Sequence, residues 1–425
     1  MRTQAVPPPL AGVGRVRVAI GVALGAAAAA AYLIGSGRVF GYDSAVTFAN
    51  FIATPNLLDA FAIHSQQATI PLAQIAGNDH VLVSLWSHLI YSLTGTRSEV
   101  VYRLLPAIAA GATAGVTAAV LVERFGVAAG VSAGLYVATN PMFVENSRDL
   151  RGYSVATLFG LLATIVFFGK WTRWRLVLYG VLLGLAIAAH AYAGLVLVAH
   201  LLWIVARRSW GDLPRLAPAW ALAVAIAVAA NGYILWVDVT QHGFLPKQFT
   251  DRFPLWALRR ERFVWVALAL VIATAAALWL VIEPYYLYPR FFIFVIPGVA
   301  YLIAGAVKRW KVLAPVVMLG AVAAAVSQVP GYTDDPLALR QAAAAVQQGD
   351  AAGKRVCLIH SDEQVLGAYR ASGFTVVTDA SQLASCDEVV VVSWAIEIPV
   401  RDEAAAQFQK RTVLPAEYPT VVLEK

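Results

Sequence analysis

Long apolar runs separated by short polar connections fill the first 330 residues. They predict membrane spans near 18–37, 100–122, 127–141, 153–169, 176–190, 192–206, 216–237, 263–282, 291–307 and 312–329. A helix crossing straight needs ~20 apolar residues, so the shorter runs have soft ends. The pattern changes within 38–99. There Val81–Leu93 places Trp86, Leu89, Ile90 and Leu93 at helical spacing, with Ser84, Ser87 and His88 between them. That spacing predicts a helix lying in the interface rather than crossing it. After residue 330 no run is long enough to span. Pro336–Gln348 and Glu363–Ala371 read as helices. Arg355–Ile359, Phe374–Val377, Glu388–Ser393 and Thr420–Leu423 read as strands. This alternation predicts a small three-layer α/β domain. The expected fold class is a multi-pass α-helical membrane protein of about 10–11 spans with a small C-terminal α/β domain.

Composition narrows the class. Of 425 residues, 60% are apolar and 13% are charged, and mean hydropathy is +0.68. Soluble domains are roughly 45–50% apolar and about 25% charged. So much apolar surface cannot be hidden from water, so lipid is part of the solvent. A cytosolic enzyme, a disordered chain and a nucleic-acid binder are excluded. The pI near 9.4 follows from basic loops beside spans. Residues 1–330 carry 24 Lys/Arg and 12 Asp/Glu, whereas 331–425 carry 8 and 13. The expected organisation is a cytoplasmic tail 1–17, a membrane body 18–330 with a long outer loop 38–99, and an extracytoplasmic α/β domain 331–425.

Arg2, Arg15 and Arg17 precede Val18–Tyr32. No small-x-small cleavage site introduces a soluble domain there, so the run reads as a first span with its N-terminus inside, not as a cleaved signal. Arg124, then Lys170, Arg173 and Arg175, then Arg207, Arg208 and Arg215 fall on the same side if the first six spans alternate. Lys308, Arg309 and Lys311 should share that side, and Arg259, Arg260 and Arg262 also look cytoplasmic. Three predicted spans separate Arg215 from Lys308, and an odd number cannot return the chain. One element between them is re-entrant, interfacial or wrongly assigned as a span.

Half of the body's 12 acids lie in two outer loops: Asp43, Asp59, Asp79 and Glu99, then Glu145 and Asp149. Asp43, in Gly41-Tyr42-Asp43-Ser44, reads either as a general base or as a solvated helix-end group such as an N-cap. Position alone slightly favours the latter. Asn78-Asp79-His80 opens the interfacial helix and reads as an acid/base or metal pair, or more simply as a cap. No second ligand cluster at metal spacing supports a metal. In Arg148-Asp149-Leu150-Arg151-Gly152-Tyr153 two arginines sit where the orientation rule disfavours them. They answer either to a phosphate or to Glu145 and Asp149. His190-Ala191-Tyr192 interrupts an apolar stretch, with a neutral, carbonyl-bonded histidine at least as good a reading as a functional one. Glu283–Phe291 joins two spans with three tyrosines and Arg290. That arginine either holds a lipid phosphate or snorkels at the interface. Cys357 and Cys386 can pair in an oxidising compartment, but the sequence does not require it.

The order of these features resembles the GT-C membrane glycosyltransferases that use polyprenyl-phosphate-linked sugars. Within them it resembles the bacterial group related to protein O-mannosyltransferases, lipid A aminoarabinose transferases and core galacturonosyltransferases. The resemblance rests on Tyr42-Asp43 after the first span and Asp79-His80 running to Leu93-Thr94-Gly95. It rests also on Asn146–Tyr153 after the third span, and on Tyr288-Pro289-Arg290-Phe291 followed by Pro297. It covers most of 18–330 and the tail more loosely. It implies a GT-C-like fold and an outward-facing site in which Asp43 takes the acceptor's proton and the anomeric carbon is attacked with inversion. Arg148, Arg151 and Arg290 would stabilise the leaving lipid phosphate. Tyr42, Asp79, His80 and Asp149 would line the cavity, together with Tyr153, His190, Tyr192 and Tyr288. The implied partners are a polyprenyl-phosphate-linked sugar, a glycan, lipid or protein acceptor, and the plasma-membrane bilayer, with no nucleic acid. No cofactor is implied, and a divalent metal is left open. The chain departs from the group in having Asp43-Ser44 where many relatives carry Asp-Glu. It also lacks prolines after His80 and shows one span fewer before the Pro-Arg turn. The competing class is a polytopic transporter or flippase of lipid-linked sugars, which would more often show internal repeats or Gly/Pro-broken spans in matching halves.

Overall fold

The computed structural model describes residues 13–61, 79–240, 293–329, 338–359, 366–392, 398–414 and 420–425. Helix α1 is Val13–Leu33. α2 is Tyr42–Thr47 and runs on into a wider turn, Phe48–Ile52. α3 is Val81–Thr94, α4 Glu99–Phe125, α5 Val127–Thr139 and α6 Pro141–Ser147. α7 is Tyr153–Phe167, α8 Arg173–Ala189, α9 Gly194–Arg207 and α10 Leu213–Thr240. α11 is Ile296–Arg309, α12 Leu313–Ser327 and α13 Leu339–Ala351. In the tail, β1 is Val356–Ile359, β2 Phe374–Val377 and β3 Glu388–Val391. α14 is Ile398–Gln407, followed by β4, Lys410–Leu414, and β5, Thr420–Glu424.

These elements pack as two compact units. The first gathers the described residues of Met1–Ile34, Arg103–Ala229 and Pro254–Val329. The second gathers those of Gly35–Tyr102, Ala230–Phe253 and Pro330–Lys425.

In the first unit, α1 and α4 meet through paired Gly-x-x-x-Gly motifs, Gly21/Gly25 and Gly111/Gly115. A Cβ at Gly21 would lie 2.8 Å from the Gly115 carbonyl oxygen, and one at Gly25 would lie 3.0 Å from that of Gly111. Helices in lipid gain little from burying apolar surface. Backbone approach through small residues supplies dispersion contact instead. A second such crossing joins α8 to α10, where Gly180 and Gly184 face Ala219 and Ala223. Outward faces stay apolar: Val16, Val18 and Val22 on α1, and Val316, Leu319 and Val322 on α12, are exposed. Gly14–Leu33, Glu99–Phe125 and Trp210–Ile234 are long and apolar enough to cross a membrane.

The span expected at 127–141 is a bent pair. α5 and α6 meet at 57° because Asn140 caps α6, its side chain accepting from the Phe143 N–H, with Pro141 in the first turn.

Arg17 of α1 pairs with Glu123 of α4, so the two helices are antiparallel and Arg17 and Arg124 share one end of the unit. The Lys308 ammonium lies 5.7 Å from the Phe125 ring, which brings Lys308 to that same end. Arg17, Arg124 and Lys308 thus gather at one end of this unit. The predicted span 263–282 and Arg259, Arg260 and Arg262 lie outside the described residues.

The second unit contains the first loop and the tail. The sheet has order β2-β1-β3-β5-β4; β1 is parallel to β2 and β3, and β5 is antiparallel to β3 and β4. Every residue of the central strands β1 and β3 is buried, as strands covered on both faces require. β2 matches the expected range, and β1, β3 and β5 differ only at their ends. α14 and β4 were not anticipated, because Lys410-Arg411-Thr412-Val413 is an exposed edge with little apolar alternation. Only the end of the helix expected at Glu363–Ala371 is described, from Leu366. Cys357 and Cys386 form a disulfide with Cα atoms 5.9 Å apart. Lys354 bridges Glu388 at 3.1 Å and Glu424 at 2.9 Å, which gives the buried Glu388 its counter-charge.

Candidate functional site

The candidate residues fall into both units. In the second unit, Gly41 is the N-cap of α2, and Tyr42 opens the helix. Asp43 is therefore an N-terminal-turn residue and not the cap. Its carboxylate stands at the positive end of a helix and is half-buried. The backbone carbonyl of Asp43 accepts from the Thr47 hydroxyl at 2.9 Å.

Asp79 and His80 precede α3. His80 occupies the N-cap position without a side-chain capping bond. Asp79 Oδ1 accepts from the Ser84 hydroxyl at 2.6 Å, and its buried Oδ2 has no hydrogen-bond partner among the described residues. Burial pushes the Asp79 carboxyl up to about 8, opposed by the Ser84 hydroxyl and the His80 backbone. At neutral pH this group is mostly a neutral acid, able to donate as well as accept.

Helix α3 carries its polarity inward. Ser84, Ser87 and His88 are buried, while Trp86, Leu89 and Leu93 are exposed. His88 Nδ1 stands 3.3 Å from the Thr54 hydroxyl, and the buried Ser87 hydroxyl has no partner among the described residues. A water-facing helix has the reverse arrangement. An apolar exterior fits an interfacial helix, and the inward stripe places Ser84, Ser87 and His88 inside the unit. α3 ends where Gly95 takes φ 62° and donates to the Tyr91 carbonyl at 2.7 Å.

In the first unit, the turn between α6 and α7 carries Arg148, Asp149 and Arg151, with Tyr153 opening α7. Both arginines are buried. Arg148 Nε donates to the Tyr32 carbonyl at 3.3 Å, and its Nη2 to the Ile34 carbonyl. A guanidinium thus closes the C-terminal end of α1, where carbonyls lack partners and the dipole favours a cation. Tyr32 is held in turn by its hydroxyl, which donates to the Ala138 carbonyl at 2.8 Å. Asp149 Oδ1 accepts from the Leu150 N–H at 3.0 Å, and its Oδ2 lies 3.9 Å from Arg151 Nε. Ser154 ties the start of α7 to α4 by donating to the Pro106 carbonyl at 2.9 Å.

His190 follows α8. Its Nδ1 accepts from the Tyr192 backbone N–H at 3.2 Å, which leaves the proton of a neutral ring on Nε2. The ring packs on Tyr153 with centroids 4.4 Å apart, and on Tyr192 and Phe294 at 5.6 and 5.9 Å. The Arg148–Tyr153 turn and the His190–Tyr192 turn are therefore adjacent. Arg290 and Tyr288 lie outside the described residues.

His200 was not anticipated. Its Nδ1 is 2.9 Å from the Tyr179 hydroxyl and its Nε2 3.1 Å from the Thr164 hydroxyl, and Trp220 Nε1 donates to the Tyr179 oxygen at 3.2 Å. With both ring nitrogens engaged, this chain binds α7, α8, α9 and α10 together and has a structural role. Among the described residues no group of three or more His, Cys, Asp or Glu side chains is placed to hold a metal.

The helical body with its small terminal sheet is a multi-pass membrane architecture of the GT-C type. The fold is similar to that of ArnT from Cupriavidus metallidurans in the apo state, with a TM-score of 0.52 and 15% identity, covering 95% of this chain and 97% of that one. It is equally similar to ArnT from the same organism bound to undecaprenyl phosphate, with a TM-score of 0.53 and 14% identity, covering 98% of both chains. No protein-family model and no curated protein sequence matches the chain.

Proposed function

We propose that this protein is an integral membrane glycosyltransferase. It moves a sugar from a polyprenyl-phosphate donor to an extracytoplasmic glycan, lipid or protein acceptor. The observation that carries this reading is the end-to-end likeness of fold to an ArnT that binds undecaprenyl phosphate. The disulfide adds support for an oxidising compartment around the tail. Gathering of Arg17, Arg124 and Lys308 at one end supports a multi-pass chain in the plasma membrane, with those residues cytoplasmic.

In the proposed reaction the Asp43 carboxylate takes the proton of an acceptor hydroxyl. The acceptor oxygen bonds to the anomeric carbon as the bond from that carbon to the phosphate oxygen breaks, with inversion. The lipid phosphate monoester departs with one more negative charge than it had in the donor. Fixed cations in a water-poor site favour that charge. Arg151 and Arg290 are assigned this role. Arg148, with two donors committed to the Tyr32 and Ile34 carbonyls at the end of α1, holds the turn that carries Arg151. Tyr42, Asp79, His80 and Asp149 are assigned to the substrate cavity with Tyr153, His190, Tyr192 and Tyr288. The His190 Nε2–H serves there as a neutral donor.

Asp43→Asn tests the reading. Transfer of label from a radiolabelled polyprenyl-phosphate sugar to any other membrane component, lipid or not, should fall at least ~100-fold, with insertion and melting unchanged. Undiminished transfer removes Asp43 from the mechanism.

A further inference from the structure

The tail grips the segment that leads into Asp43. Phe40, three residues before Asp43, donates its backbone N–H to the Tyr369 hydroxyl at 2.7 Å. That hydroxyl in turn lies 3.2 Å from Glu99 Oε1. Arg340 Nη2 reaches the same carboxylate oxygen at 2.5 Å and the Gly37 carbonyl at 2.7 Å. Arg97 Nη1 donates to the Ala368 carbonyl at 2.7 Å, next to Tyr369. Its guanidinium lies over Phe48 at 5.5 Å. Phe40 and Glu99 are buried, so the bonds at these two residues are partly shielded from water, while Arg340 is half-exposed.

The grip reaches the helix that bears Asp43. The Phe40 ring stacks on Phe48 with centroids 5.4 Å apart, and Phe48 directly follows α2. Gly41, next to Phe40, caps α2 and accepts from the Ala45 N–H at 2.9 Å. The segment entering α2 is therefore held by the tail, while the segment leaving it packs on Phe40. α2 is six residues long and its N-cap Gly41 makes no side-chain capping bond, so contacts from outside the helix contribute to its direction.

We propose that the α/β tail is the positioning element for Asp43, with Tyr369 the central residue and Arg340 and Glu99 its support. This rests on Asp43 being the base. A base displaced by a fraction of an ångström leaves the near-attack geometry, and the rate falls while donor binding does not.

The test is Tyr369→Phe, which keeps the ring and removes the hydroxyl. Amide hydrogen exchange in residues 38–42 of the full-length protein should quicken at least tenfold. In the label-transfer assay kcat should fall roughly tenfold with donor KM unchanged. Arg340→Met should act in the same direction, and Arg340→Lys should restore part of the loss. Should Tyr369→Phe destabilise the protein, the Arg340 pair supplies the same comparison. Unchanged exchange and turnover in both series overturn the inference. So does a change in KM alone. Because exchange is read without catalysis, failure of Asp43→Asn to lower transfer would sink the base assignment separately from the grip.

Discussion

In the membrane body, four glycines bring the backbones of α1 and α4 together, and exposed valines and leucines face outward. In the loop–tail unit a disulfide, a five-stranded sheet and carboxylates with cationic partners hold the chain. The difference follows from the solvent. Lipid gives no reward for hiding an apolar side chain, so the body uses close backbone contact, and buried polar groups such as His200 and Arg148 bond to other helices. Water rewards apolar burial, so the tail has an ordinary core of Ile359, Val389, Phe408 and Leu423. Arg148 and Arg340 show the contrast at single residues. One cation is buried against helix-end carbonyls, and the other is half-exposed and meets a carboxylate.

Gly115→Leu should break the comparison most severely. A side chain there meets the Gly21 carbonyl oxygen and the Cα of Gly25, and backbone cannot give way as a flexible side chain can. Overpacking costs about 1–3 kcal/mol or more. The expected outcome is a lowered melting temperature in detergent and loss of the Arg17–Glu123 pairing, read by cross-linking of cysteines placed at 17 and 123. A melting curve like the parent's would mean that this crossing is not tight.

Replacing Cys357 and Cys386 by serine should weaken only the tail. Their separation of 29 residues corresponds to roughly 3–4 kcal/mol in the loop-closure model. Limited proteolysis should cut within 338–425 while the body stays intact. Simultaneous cleavage of the body would show that the units do not respond separately.

A third effect is a pH slope. The Asp79 carboxyl is raised from 3.8 to about 8, so the folded protein holds this proton over a range in which the unfolded chain has released it. Stability from this group is fully present below about pH 4, declines as pH rises toward 8, and is then lost. The melting temperature should fall with pH between 5 and 8, and Asp79→Asn should flatten that fall. An equally steep slope in the variant would reject the raised value.

Much of the fold was legible because lipid imposes long apolar runs, and because period-2 and period-3.6 patterns survive in the tail. β2 was read at its observed ends, and the start of β5 was read correctly. The bend at Asn140-Pro141 carried a visible cap-and-proline signal that the span count passed over. The Gly-x-x-x-Gly pairs were equally visible, but which helix each would meet was not. For the site, the Arg148–Tyr153 and His190–Tyr192 segments could be singled out from charges and ring nitrogens in unlikely places. Their adjacency could not, since Tyr153 and His190 are far apart in the chain. The same holds for the tail's hold on Phe40, because Tyr369 is an ordinary tyrosine until Phe40 is beside it.

What the sequence determined by itself was the solvent, the helical class, the alternating tail and the short list of groups able to do chemistry. These depend on local composition and periodicity, which the chain displays residue by residue. Only the tertiary structure decided that Arg148 closes a helix end, that Cys357 meets Cys386, and that a hydroxyl of the tail holds the segment before Asp43. Each of these is a meeting of residues distant in the chain. Such meetings follow from the packing of the whole molecule and leave no mark in the spacing along it.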